Sequence, residues 1–280
     1  LMYEELKKAY DTGADRYWLL NVGDIKPGEL GMKLFLDMAW NIEKFNFDNI
    51  NNYQVNFLSS VFGTPFKSDI SDILSSYYQL AFQRKPEAMG WGWECNSRHE
   101  VAQIFDTEFS FTNYDEAEDR IKEYDRIEKK SERILSQLPK HYQPAFFQLL
   151  HYSVKGAGLM NKKMLVAQQN RWYATQERSA TNDLAQKVQL YYDSINQITD
   201  QYNNMLDGKW KHMMSLPPGW TARYQNMPPI ETIDLSNKSG VGLFLSNEDL
   251  AYGSTNVKAL PCFNPYTQKT YSFEVYNKGM

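Results

Sequence analysis

Arg16-Tyr17-Trp18-Leu19-Leu20-Asn21-Val22-Gly23-Asp24 is the stretch on which the fold turns. A continuous apolar run of this length suits a strand buried on both faces, the pattern of a parallel sheet. Gly23 and Asp24 end the run, and Pro27 and Gly28 mark a loop. Residues 3–11 before it read as a short helix stopped by Gly13, with Leu6, Ala9 and Tyr10 on one side. Glu29 to Trp40 behind it returns to helical periodicity through Leu30, Leu34, Leu36 and Met38. Helix, strand, loop and helix make one turn of an α/β architecture. A single strand cannot satisfy its own backbone groups, so its neighbours are expected from outside this sequence or from something else.

Beyond residue 46 the pattern is almost purely helical. Asn52 to Phe62 is closed by Gly63 and Pro65, and Ser68 or Asp69 can cap a helix bearing Ile70, Ile73, Leu74, Tyr77 and Ala81. Met89 to Cys95 reads as a Gly/Trp loop. Asn113 with Glu116 resembles a capping box. Tyr142 to Tyr152 suits a buried helix, and Gly156 and Gly158 are expected to break the chain before another. Leu184, Val188, Tyr191, Ile195, Ile198, Tyr202 and Met205 step alternately by four and three. That is the seam of an antiparallel bundle or coiled coil, and a core seam is favoured here over a partner surface because adjacent helices need burying. After residue 215, prolines give way to β-prone runs at Ile230–Leu235, Val241–Leu245 and Thr270–Tyr276. The fold class expected is therefore mainly α. It divides into a terminal βα segment (1–45), a helical bundle domain (46–215), and a linker with the beginning of a β-rich domain (216–280).

The 280 residues carry 30 Lys+Arg against 34 Asp+Glu, a net charge of −4. This mild acidity argues against a duplex-DNA binder, which needs a concentrated positive field. No stretch approaches a membrane span. Cys95 and Cys262 are the only cysteines, and whether they pair cannot be read from the sequence. The four histidines (His99, His141, His151, His212) share no ligand spacing, so no metal and no cofactor are expected. No signal peptide is visible, and both ends read as cuts through structure.

Three clusters could carry chemistry. Asn21 and Asp24 lie where an α/β barrel builds its active site, although they could equally cap the loop and the next helix. Arg84-Lys85-Pro86-Glu87 precedes Trp91 and Trp93. Its cations suit a helix C-terminus by the macrodipole alone, and they also suit a site with Arg for a carboxylate and Trp for a sugar face. Lys209, Trp210 and His212 crowd behind Gly208, as a core plug with solvated lysines or as a ligand contact.

Taken in order, these segments resemble glycoside hydrolase family 115, the xylan α-glucuronidases. The resemblance rests on residues 16–41, on Arg84 to Glu87, on Asn203-Asn204 with Gly208-Lys209-Trp210 and His212-Met213-Met214, and on Leu260-Pro261, Phe263 to Tyr266 and Val275 to Gly279. It implies removal of glucuronic acid or its 4-O-methyl ether from xylan by inverting α-1,2 hydrolysis, with two carboxyl groups and a water between them. It also implies a multidomain enzyme. This chain would supply the last βα segment of a (β/α)8 barrel, the helical domain and the start of a β-sandwich, and it would be inactive alone. The main acid and base are expected upstream. Asn21, Asp24, Arg84, Glu87, Lys209, Trp210 and His212 carry over as substrate-binding positions. The implied partner is xylan or a glucuronoxylan oligosaccharide, with no nucleic acid and no membrane. The resemblance leaves room for a homodimer of the full-length enzyme and implies a secreted or periplasmic address. The alternative is a non-catalytic helical module that binds carbohydrate or assembles subunits.

Overall fold

A computed structural model describes residues 1–23, 25–90, 104–215, 226–235, 237, 239–245, 251–252, 266, 270 and 272–279. The fold is mainly helical, with a small antiparallel sheet. It divides into two compact units. The first comprises Leu1–Gln83, Tyr124–Gly156 and Ile198–Ser215, and the second Arg84–Glu123, Ala157–Gln197 and Leu216–Met280.

In the first unit, α1 (Met2–Asp11) and α2 (Glu29–Trp40) enclose a core of Tyr3, Leu34, Met38 and Ile42. The segment 16–22 between them alternates with a period of two. Trp18 turns inward, its ring 5.9 Å from that of Phe35, whereas Tyr17 and Leu19 are 79% and 76% exposed. Within this chain, then, the segment has the alternation of a strand covered on one face. No described backbone pairs with 16–22 as a ladder, so only the face that α2 covers is shielded from water. Then come α3 (Tyr53–Phe62) and α4 (Lys67–Gln83), with Val55, Leu58, Ile70 and Ile73 buried. Gly63 closes α3 at φ 115°, a conformation costly for any residue with a Cβ. From α5 (Glu116–Gln137), residues 124–137 belong to this unit. So do α6 (Gln143–Phe146) and the π-turn Phe147–His151 that follows it. The buried helix expected at Tyr142–Tyr152 is therefore built in two pieces. Phe62 meets Phe146 edge-on at 5.1 Å.

In the second unit, Met89, Ala117, Met160, Met164 and Leu165 form one apolar cluster, and Val166, Ala167, Leu184 and Val188 another. Apart from Met89, which follows the 3-10 turn Pro86–Ala88, they lie on parts of α5, α7 (Tyr152–Thr175) and α8 (Ala180–Gly208). The expected break at Gly156 and Gly158 does not occur: α7 runs through both glycines. Their helix penalty of about 1 kcal/mol each is outweighed by burial of Val154, Ala157, Leu159 and Met160 around them. The expected Asn113 capping box is also corrected. Ser110 Oγ accepts from Asn113 N–H at 2.8 Å, and Glu116 reaches back to Ser110 N–H at 3.0 Å.

The sheet has the order β2-β1-β3, all antiparallel: β1 (Val241–Leu245), β2 (Ala251–Tyr252) and β3 (Phe273–Asn277), with Leu243 opposite Val275. Ile230–Leu235 is not a strand. Its backbone pairs with asparagine side chains instead. Asn170 accepts from Glu231 N–H at 2.7 Å and donates to Glu231 O at 2.9 Å, and Asn182 does the same at Ile233. The two amides satisfy groups that a neighbouring strand would otherwise serve.

Candidate functional site

The loop that follows the extended segment is held by three parts of the first unit. Lys26 reaches Glu29, in the first turn of α2, at 2.5 Å. An acidic residue there is favoured by the helix dipole. Gln148, on the π-turn, donates to Lys26 O at 2.8 Å and to Glu29 Oε2 at 3.0 Å, although 119 residues separate Gln148 from Glu29. The Lys26 ammonium also lies 4.3 Å from the centroid of the Trp210 ring, and that of Lys209 lies 5.1 Å from the same ring. The Glu29 carboxylate and the Trp210 ring together take a largely buried ammonium out of water without leaving it unpaired.

Trp210 is delivered by a tight reversal. Helix α8 leaves helical geometry at Met205 (ψ 150°), and Leu206, Asp207 and Gly208 are left-handed in succession. Successive i→i+3 bonds follow, Lys209 N to Leu206 O at 3.1 Å and Met213 N to Trp210 O at 3.0 Å. Asn203 fastens the reversal: its Oδ1 accepts from Met214 N–H at 3.0 Å, and its amide donates to Ser215 Oγ at 3.2 Å. Two non-glycine residues held left-handed, and His212 likewise at φ 67°, mark a turn whose shape is maintained by its surroundings.

Under this reversal lies Tyr202, fully buried, its ring 4.9 Å from Tyr152 and 6.2 Å from Phe147. Its hydroxyl has no hydrogen-bond partner among the described residues. Burial, and then the charge of Glu29, push the Tyr202 phenol well above its usual range, so it stays protonated.

The structure thus brings Trp210 and Lys209 to the loop that begins at Asn21. Asn21 itself is exposed on that loop, and His212 is exposed on the reversal. Asp24 lies outside the described residues. Arg84 and Glu87 belong to the second unit. There Arg84 Nε donates to Ala88 O at 3.2 Å, spanning the 3-10 turn Pro86–Ala88, and its carbonyl accepts from Arg120 at 2.8 Å. Its guanidinium is 3.9 Å from Glu108, and Glu87 is exposed. Reading the residues in order misses Lys26, Glu29 and Gln148. The one available signal was Gln148 itself, a lone amide within Phe146-Phe147-Gln148-Leu149-Leu150. Chemically, the cluster is committed to holding: each Glu29 oxygen already accepts a hydrogen bond, and Lys26 is pinned on two sides. It orients the loop carrying Asn21.

Residues 1–88 match the sequence model of glycosyl hydrolase family 115. Among solved structures, the chain resembles a family GH115 4-O-methyl-α-glucuronidase with specificity for decorated arabinogalactans. The two share 32% identity at a TM-score of 0.69, over 84% of this chain and 29% of that one. The chain therefore spans under a third of that enzyme's length. No curated protein matches it.

Proposed function

We propose, from the match of residues 1–88 to glycosyl hydrolase family 115, that this chain is part of an enzyme that removes glucuronic acid or 4-O-methylglucuronic acid from a plant polysaccharide. In this reading, residues 1–45 supply the last βα segment of a (β/α)8 barrel, 46–215 a helical bundle domain, and 216–280 the start of a β-sandwich. The observation that carries it is the meeting of Lys26 with Trp210. Two motifs far apart in sequence, each singled out on its own, converge on the loop at the C-terminal end of the extended segment 16–22. That is the end at which barrel enzymes place their chemistry.

Hydrolysis with inversion needs one carboxylic acid to protonate the leaving oxygen and one carboxylate to activate water on the opposite face. In this proposal both come from barrel strands outside this chain, and the chain alone is inactive. Asn21 and Asp24 are the proposed contacts of the sugar subsite. The Lys26–Glu29–Gln148–Trp210 cluster holds the entry to α2 beside them, and Lys209 and His212 are proposed further contacts. Arg84 and Glu87 remain proposed substrate contacts. Xylan bearing glucuronic acid is the expected substrate. The neighbour's specificity for decorated arabinogalactans makes that polymer the natural second assay. An enzyme acting on such polymers works outside the cytoplasm.

Uronate release from glucuronoxylan and from arabinogalactan tests the reading, comparing the 280-residue chain with a longer protein that contains the full barrel. The longer protein should release uronate, and the 280-residue chain should not. In the longer protein, Asp24→Ala should lower the rate far more than the melting temperature. Turnover by the 280-residue chain near that of the longer protein would refute the division of labour, and a longer protein inactive on both polymers would refute the activity.

A further inference from the structure

A second cleft, of about 660 Å³, opens in the first unit between the C-terminal half of α2 and the start of α3. It shares no lining residue with the Lys26–Trp210 cluster. Trp40, the last residue of α2, lines it and is 89% exposed. An indole in water forgoes most of the burial that makes the residue worth having. No described side chain covers it.

The polar groups around Trp40 sort by what they already hold. Asp37 is committed, accepting from both Lys33 (2.8 Å) and Tyr53. Those two bonds, Lys33's first, hold its carboxyl below the usual range. Asn41 uses its carbonyl oxygen on Glu43 N–H at 3.1 Å, leaving its amide hydrogens. Among the described residues, Lys44 makes no side-chain hydrogen bond or ion pair, and neither does the Asn56 amide. Lys33 and Lys44 against Asp37 leave the cleft one positive charge in excess, on Lys44.

We infer that this cleft is a second saccharide site, and that its ligand is a pyranose bearing a carboxylate. The C–H-rich face of the ring lies on Trp40, its hydroxyls meet the free amides of Asn41 and Asn56, and its carboxylate meets the surplus charge of Lys44. A neutral sugar leaves Lys44 unmatched, and a bare phosphate leaves the indole unused. The choice of an acidic sugar comes from the cleft itself, and only the polymer from which the probe is cut rests on the reading above. Such a site would grip a glucuronate side chain of the same polymer without cleaving it.

Calorimetric titration of the 280-residue chain tests this, with a xylo-oligosaccharide bearing one glucuronic acid and an unsubstituted oligosaccharide of equal length. The acidic oligosaccharide should bind more tightly, and its advantage should shrink as salt is raised. Trp40→Ala should weaken both ligands about tenfold, and Lys44→Gln should weaken only the acidic one, about fivefold. Both positions are exposed, so both variants should melt with the parent chain. Absence of binding, or binding indifferent to both substitutions, overturns the site. A longer protein that releases uronate while the 280-residue chain fails to bind would overturn this inference and leave the hydrolase reading standing.

Discussion

The Lys26 ammonium sits 4.3 Å from the centre of the Trp210 ring, and this contact ties the loop before α2 to the reversal after α8. Its strength should be measurable. A partly desolvated cation–π contact contributes about 1 kcal/mol, up to about 2. In urea denaturation, a double-mutant cycle of Lys26→Met and Trp210→Leu should give a coupling of about 1 kcal/mol. Trp210→Phe should retain part of it, because an aromatic face survives. A coupling indistinguishable from zero would mean that the two groups merely lie near one another.

Gln148 makes a second test of the same loop. Its amide donates both to a backbone carbonyl and to a carboxylate. Gln148→Leu leaves the Lys26 carbonyl and one Glu29 oxygen without that donor, at a cost of about 1–3 kcal/mol. Gln148→Glu should be worse, because it adds a like charge at hydrogen-bond distance from Glu29 in a buried position. The order Gln, then Leu, then Glu in melting temperature is expected, and parity of the three would remove Gln148 from the scaffold.

The sequence exposes this site only in part, for a reason visible in these residues. Trp210 and the loop at Asn21 stand out locally, as an aromatic after a helix stop and as polar residues ending an apolar run. Gln148 joins them through a contact across more than a hundred residues, and nothing local shows which surface a π-turn presents. The fold divides in the same way. Leu184, Val188 and Tyr191 recur at helical spacing and pack into one cluster, and Val241–Leu245 forms strand β1. The run at Ile230–Leu235 has strand composition, but what it meets is Asn170 and Asn182, so its hydrogen bonds close on side chains. The segment 16–22 keeps the period of a strand, while its second face depends on neighbours that this sequence does not describe.

His151 should give stability a pH dependence. It is buried, 2.8 Å from Ser131 Oγ, and burial first and the Lys155 charge second lower its pKa to about 4. In the unfolded chain it titrates near its ordinary 6.5. Above 6.5 it is neutral in both states. As the pH falls from 6.5 towards 4, the unfolded chain takes up a proton that the folded one refuses, so stability is lost, by up to about 3 kcal/mol. Below about 4 its contribution is flat. Melting curves between pH 7 and pH 4 should therefore be steeper for the parent than for His151→Gln. Parallel curves would show that other groups carry the acid sensitivity.

Gly90 is poorly able to accept a side chain. Its φ is +74°, and a Cβ there would fall 2.0 Å from Met164 Cε and 3.0 Å from Ile104 Cγ2. The methionine tip can swing away, but the left-handed backbone cannot be relieved by a neighbour. Gly90→Ala should cost about 1–3 kcal/mol. In a double-mutant cycle that subtracts the cavity cost of Met164→Ala alone, the Met164→Ala background should recover only the steric share of the Gly90→Ala cost. Full recovery in the double variant would place the whole cost in the clash.

Arg178 holds the small sheet to the turn between α7 and α8. Its guanidinium carbon is 4.2 Å from the ring centres of both Tyr173 and Tyr276, and 5.5 Å from that of Phe244. One arm meets Glu274 of β3 at 2.8 Å, Nε donates to Gln176 at 2.5 Å, and Nη2 has no partner among the described residues. A planar, weakly hydrated cation fits between aromatic faces, whereas an ammonium is a strongly hydrated point charge. Arg178→Lys, conservative in charge, should therefore be damaging, at about 2–4 kcal/mol, because it buries an ammonium that can neither stack on the rings nor fork to its partners. Arg178→Met removes the charge and keeps a flexible stem to fill the cage, while half-exposed Glu274 can turn to water. Met should thus be the milder substitution, and hydrogen exchange of the β1 amides should show it as slower opening than in the Lys variant. The reverse order would mean that the Glu274 ion pair, and not the stacking, fastens the sheet.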